Sequence, residues 1–355
     1  MGSTESKTNH HFNRFSYELL PQTNEIKMEI CMAIAINFTN TLLLAASTND
    51  IKIIQVNEGQ LFSIQNLKKH SDHVTTLNFF KIKNQFISGS ADNSIIVWST
   101  ALLSNPKYLT KLKNHSFQIT CLVISQNSEQ VFISGSKDKQ IKFWHQNNQT
   151  TSFDWTCWQT ITEHTDQIYG LSISQDGNKL ISCGRDGLIL VMQKDSTQFW
   201  QVQQKIYKAI GFRLSFIDNE MFAFQPLILH NHRLRASQNL LVYSWNSNSR
   251  CYFKSKQISI KGEGQWCHIY FPQTYIPSKQ ILMAKNGQTV NLIRFSKTTQ
   301  DYNYKLEQVI DYSNQFHKVI YQGQIFGAIS DDGEYLILWD RNSSQIQIRQ
   351  FKEYL

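Results

Sequence analysis

The thirteen residues from Phe86 to Trp98, FISGSADNSIIVW, return as FISGSKDKQIKFW from Phe132 to Trp144, with eight identities. A looser third copy, LISCGRDGLILVM, runs from Leu180 to Met192. A short unit repeated every 40–50 residues or so cannot bury its apolar surface alone, so neighbouring copies must cover one another. That period predicts a β-propeller or a solenoid array. Such domains mostly display surfaces to partners, which makes a single catalytic centre a poor expectation from the outset.

Each copy reads as strand, tight turn, strand. Phe86-Ile87-Ser88 is apolar and β-prone, Gly89 to Asn93 has turn chemistry, and Ser94 to Trp98 is β-rich again. A histidine and a further β-rich run precede each copy. His70, His115 and His164 each stand four residues before a β-branched residue: Val74, Ile119 and Ile168. From histidine to the closing Trp or Met the separations are 28, 29 and 28 residues.

These residues resemble the WD40 repeat family, whose blades are four-stranded and antiparallel. The resemblance implies a buried hydrogen-bonded set of Asp, His, Ser and Trp in each blade. The matching residues are Asp92, His70, Ser88 and Trp98 in the second blade, and Asp138, His115, Ser134 and Trp144 in the third. The fourth blade offers Asp186, His164 and Ser182, with Met192 in place of Trp, so its network must be shorter. A carboxylate and an imidazole buried in a sheet need each other as partners, and losing one leaves an unsatisfied buried group at about 1–3 kcal/mol. We therefore read these sets as structural despite their likeness to a catalytic triad. A hydrolase needs one nucleophile in an open pocket with an oxyanion hole, whereas this set repeats.

The expected fold is all-β: one seven-bladed WD40-type propeller over 15–355, after a disordered polar tail at 1–14. In blade one, Met32 to Phe38, Leu42 to Ser47 and Ile51 to Val56 are strands, with Ala46 at the Ser position and Val56 at the Trp position. Blade five is assigned Ile210 to Phe216, Met221 to Phe224 and Leu240 to Tyr243, with a long loop at 225–239. Blade six is assigned Cys267 to Phe271, Gln280 to Ala284 and Thr289 to Ile293 around an Asn286-Gly287 turn, a strong hairpin signal. In blade seven ISDDG aligns with the ISQDG that begins at Ile173, making Tyr335 to Trp339 the second strand and Ile346 to Phe351 the third. The outer strand is then Phe15 to Leu20, donated by the start of the chain to close the ring and remove sheet edges. The alternative makes 346–351 itself the outer strand.

Six scattered cysteines without a C-x-x-C fit free thiols in a reducing compartment, so a cytoplasmic chain is expected, with nuclear or ciliary locations as variants. The first fourteen residues are polar and read as no signal peptide, and no apolar run reaches the ~18 residues of a membrane span. Abundant Asn, Gln, Lys and Ile resemble the coding bias of an AT-rich genome such as a ciliate's. Net charge is +8, but the basic residues are dispersed, with no run of five, so they read as a solvated surface and nucleic acid is not the expected partner.

Three places could carry function. In the resembled family, ligands often meet residues beside the histidine-led strand and just before the turn aspartate. By position these are His73, Thr75, Gln118, Gln167 and Tyr169, with Ala91, Lys137 and Arg185 before the aspartates. Lys137 and Arg185, from consecutive blades, suit an acidic or phosphorylated peptide. The second place is the 225–239 loop with His230, His232, Arg233 and Arg235; its H-x-H lacks further ligands, so partner contact is preferred to metal. The third is Gly2 in M-G-x-x-x-[ST], the N-myristoylation pattern, which would give marginal, reversible membrane binding. No P-loop, Rossmann turn or metal cluster appears, so no cofactor and no enzyme are expected. The expected function is a protein-binding scaffold within a hetero-complex. Alternatives are a component of cytosolic iron–sulfur protein assembly, which the run CGRDGLILV resembles, and a structural propeller of cilia or microtubules.

Overall fold

The computed structural model describes residues 13–101, 108–125, 129–146, 154–207, 210–230, 233–264, 267–297, 302–313 and 324–354. All named elements among them are β-strands, arranged in seven antiparallel sheets. Each sheet is a blade whose chain runs from the innermost strand outward. Blade two, for example, comprises Val74–Phe79, Gln85–Ser90, Ile95–Ser99 and Tyr108–Leu112.

The second and third strands read as nearly continuous apolar runs because both of their faces are covered. In Gln85–Ser90 every residue is buried. Phe86 packs toward blade one and the next residue, Ile87, packs toward blade three. The described core divides into seven clusters, one between each pair of neighbouring blades, blades seven and one included. That arrangement is a closed ring. The inner strands of all seven blades line an axial cavity of about 600 Å³.

Closure follows the expected route. Ile346–Glu353 is the third strand of blade seven, and Phe15–Leu19 pairs with it as the outer strand, Phe15 opposite Glu353 and Leu19 opposite Arg349. Tyr17 is fully buried, meets the rings of Phe15 and Phe351 edge to face, and donates its hydroxyl to the carbonyl of Gly333 at 2.6 Å. Blade seven also repeats the turn of blade four. Ser174 and Ser330 donate to Asp176 and Asp332 at 2.5 and 2.6 Å, and Gly177 and Gly333 adopt φ of 70° and 73°, where a side chain would be strained.

Two expectations are corrected. Residues 225–239 are not a loop. The second strand of blade five extends over Met221–His230 and folds back through Arg233–Ala236, with Leu227 opposite Ala236 and Ile228 opposite Arg235. Pro226 disguises this run in the sequence; it lies opposite Gly211 beside a register shift, where a missing N–H is tolerated. In blade six the inner strand is Thr274–Ile276, not Cys267 to Phe271. The carbonyls of His268 and Phe271 accept from the guanidinium of Arg213, so they do not join a strand ladder.

Replacing Tyr17 by Ala should lower unfolding free energy by about 3–5 kcal/mol, as for other buried large aromatic-to-alanine changes. Urea unfolding followed by tryptophan fluorescence measures it; a loss under about 1 kcal/mol would mean the ring does not depend on this strand.

Candidate functional site

Three consecutive blades carry the same buried polar set. In blade two, His70 Nδ1 lies 3.0 Å from Asp92 and its Nε2 lies 2.8 Å from the hydroxyl of Ser88, which also accepts Trp98 Nε1–H at 2.8 Å. In blade three the corresponding distances, His115 to Asp138, His115 to Ser134 and Trp144 to Ser134, are 2.7, 2.7 and 2.9 Å. In blade four His164 bridges Asp186 and Ser182, both at 2.8 Å, and Met192 adds no donor. Each aspartate also accepts two backbone N–H groups, one from the end of its turn and one from the residue after its histidine; for Asp138 these are Gln140 and Ser116, both at 3.0 Å. The serines are fully buried behind the histidines. The set therefore ties the turn between second and third strands to the start of the inner strand.

Those turns define one face of the ring, and the same bond recurs on it three times. The N–H of the residue before each aspartate donates to the carbonyl of the residue before the inner strand: Ala91 to His73, Lys137 to Gln118 and Arg185 to Gln167, at 2.8, 2.9 and 2.8 Å. The inner strand then bulges by one residue, at Thr75, Thr120, Tyr169 and Phe212. A bulge re-aims its side chain. Thr75 and Thr120 use theirs internally: Thr75 is buried and donates to the carbonyls of Gly89 and Ile119, so it is not a contact residue. Tyr169 and Phe212 instead line the mouth of the axial cavity, edge to face with ring centroids 5.5 Å apart.

Lys137 and Arg185 thus occupy equivalent places on consecutive blades, bonded to Gln118 and Gln167, with Tyr169 two residues beyond Gln167 and His73 at the matching place one blade earlier. His73 bonds to Asp72 at 2.9 Å. The Arg185 guanidinium makes a long ion pair, 3.9 Å to Asp166. No hydrogen bond or ion pair engages the Lys137 ammonium among the described residues, and partial burial pulls it below the ordinary lysine range.

Gln118 is already taken. Its amide donates to the hydroxyl of Tyr270, which reaches the centre of the face from the segment before blade six and packs against residues of blades seven and one. Burial pushes the Tyr270 hydroxyl up to about 12. The segment is also tied to blade five on either side of 265–266, by Gly264 and by the carbonyls of His268 and Phe271. Ala236 N–H donates to Gly264 at 3.0 Å, a close approach that only glycine permits, since a Cβ there would lie 2.0 Å from the Ala236 carbonyl. The blade-five hairpin is thereby a support for this crossing. Arg235 is partly exposed on it, Arg233 pairs with His230 through its backbone, and His232 lies outside the described residues, as does Gly2. No group of three His, Cys, Asp or Glu that could hold a metal occurs among the described residues, nor does a helix long and apolar enough to cross a membrane.

Tyr270 and Arg213 were not legible as site residues. The one available signal was a charge inside an apolar strand, GFRLSF, which announces a buried cation needing partners.

Burial alone would raise the carboxyl of Asp138, but the bonds and charge from His115 and the N–H groups of Gln140 and Ser116 outweigh it and hold it below the usual range. Asp92 and Asp186 are held down in the same way. A lowered native pKa stabilises the fold above the unfolded value of about 3.9, and that stabilisation is lost as pH falls through the native value. Asp138→Asn should cost about 1–3 kcal/mol at pH 7 and flatten the fall in stability below about pH 5. Urea titrations across the acid range check both; an unchanged acid limb would count against the lowered carboxyl.

A family model described as "WD domain, G-beta repeat" matches residues 62–99, 106–145 and 155–191. Each match begins in or before an outer strand and ends in the third strand of the next blade, so the sequence repeat is staggered against the structural blade. Human striatin is 29% identical over 136 residues, covering 35% of this chain and 17% of its own length. Rat striatin-3 is 28% identical over 155 residues, covering 39% of this chain and 18% of its own length. Arabidopsis thaliana periodic tryptophan protein 2 is 28% identical over 117 residues, 33% of this chain and 12% of its own. The chain thus spans less than a fifth of the length of these relatives. Three matched repeats, continued by four further blades of the same strand order and closed by the first strand, make this chain a seven-bladed β-propeller that carries WD40 repeats.

Proposed function

We propose that the propeller is a non-catalytic scaffold that recruits protein partners into a complex. The docking site is the rim of blades two to four, and the ligand is an acidic or phosphorylated linear segment of a partner. The observation that supports this reading is the repeated backbone bond that holds Lys137 and Arg185 at equivalent places on consecutive blades, bonded to Gln118 and Gln167. Two cations on a rigid ring meet a carboxylate or phosphate at little ordering cost. An ammonium that is half withdrawn from water and engages no acid gains on pairing with one. With Tyr270 over the centre, a ligand lies across the rim rather than down the axis. The six free thiols accord with a reducing, cytoplasmic setting.

The test begins with affinity purification from native cells under gentle conditions, followed by fluorescence polarisation with acidic and phosphorylated peptides from the captured proteins. Lys137→Glu and Arg185→Glu should each weaken binding about tenfold, or ~1.4 kcal/mol, with the melting temperature unchanged. Thr75 and Asp138 variants should lose stability instead, with affinity retained by the folded fraction. Equal affinity of wild type and both charge reversals for every captured partner would rule the rim out.

A further inference from the structure

We propose that Cys267 is a reactive thiol, a modification site at which a hydroperoxide oxidises the protein to a sulfenic acid, activated by Arg213, Lys285 and the backbone N–H of Gly287. The inference is independent of the docking rim. Cys267 is partly exposed and begins the segment that carries Tyr270 across the face. Its sulfur accepts the Gly287 N–H at 3.1 Å and the Arg213 guanidinium at 3.5 Å. Arg213 is held in place by the carbonyls of His268 and Phe271 and the side chain of Gln225, so its charge cannot swing away. Lys285, fully buried beside the Phe271 ring, adds a second positive charge.

This constellation favours the thiolate, the nucleophilic form. Burial alone would raise the thiol, but Lys285, Arg213 and the Gly287 N–H outweigh it and hold it below the ordinary range. Burial pulls Lys285 down to about 8, and the Cys267 charge counters that fall. His268, the neighbouring imidazole, is pushed down to about 4, first by burial and then by the two cations, so it is neutral at pH 7 and adds no charge. The contrast with other cysteines is chemical. Burial pushes Cys31 and Cys121 up to about 12, and Cys183 is raised as well.

A second feature fits an added oxygen. The side-chain oxygen of Asn286, the residue before the Gly287 donor, is buried with no hydrogen-bond partner among the described residues. The sulfur is an acceptor as thiolate but carries an O–H donor as sulfenic acid, and the same turn holds this spare acceptor. In the reaction the thiolate attacks a peroxide oxygen. The S–O bond forms, the O–O bond breaks, and the leaving hydroxide (or alkoxide) takes a proton from solvent. Sulfur loses two electrons and the peroxide gains them.

The experiment treats the reduced, folded, full-length chain with hydrogen peroxide plus dimedone in one arm and iodoacetamide in the other. Each cysteine is read by peptide mass spectrometry between about pH 5.5 and 9.5. Cys267 should carry the dimedone adduct. Near pH 6.5 it should alkylate at least about tenfold faster than the other five, with a rate midpoint below the ~8.5 of a free thiol. Lys285→Met should slow alkylation several-fold near pH 6.5 and leave the rate near pH 9.5 unchanged. Should that variant not fold, the wild-type rate order and midpoint decide alone. A Cys267 rate no higher than those of Cys157 and Cys251, a midpoint at or above the free-thiol value, or the absence of the dimedone adduct would overturn the proposal.

Discussion

Each blade presents two apolar faces, and only a ring that closes can cover both faces of every blade. An open stack would need terminal units with a polar outer face. Here the interface between blades seven and one is as apolar as the others: Phe326, Trp339, Ile346 and Ile348 pack against Ile34, Leu43, Ile54 and Val56. Asn40 in blade one donates to Asp332 in blade seven at 2.6 Å, and Trp339 Nε1–H reaches the carbonyl of Met28 at 3.1 Å. The stagger between sequence repeat and blade is what joins the ends. Blade seven takes three strands in order and its fourth, Phe15–Leu19, from the segment ahead of blade one. Without it, Ile346–Glu353 would be an exposed edge open to another chain.

The sequence was most legible where partners are local. The His-to-Asp separation of 22 or 23 residues in blades two to four encodes a bond inside one blade, so spacing alone located it. The ISDDG to ISQDG alignment worked for the same reason, since Ser330 and Asp332 close their own turn. Blades five and six were harder because their constraints are long-range. Arg213 finds its carbonyl acceptors 55 and 58 residues away, and Tyr270 meets Gln118 across 152. No periodicity reports such contacts. Pro226 added a misleading local signal, and the expected contact residues Thr75 and Gln118 were lost to internal partners that only the folded ring supplies.

The two halves of the ring therefore bury polar groups in different ways. Blades two to four bury carboxylates with histidines and serines whose members lie within one blade, and each set is complete without its neighbours. Blades five and six bury cations, Arg213 and Lys285, beside a segment that belongs to neither sheet. A buried cation missing an acceptor costs far more than a missing neutral bond, so this half needs the crossing segment to stay down. Tyr270 over the cavity mouth is then a consequence of satisfying Arg213, rather than a separate feature.

The same logic explains why the rim can vary while the fold does not. Asp92, Asp138 and Asp186 turn inward and are fixed by their histidines. The residue before each one needs only its backbone N–H for the ring, so its side chain is unconstrained: Ala91, Lys137 and Arg185 occupy equivalent places with different chemistry. Stability resides in the aspartates, and the proposed recognition in their immediate neighbours. A substitution at one should therefore leave the other's contribution additive, despite a single peptide bond between them.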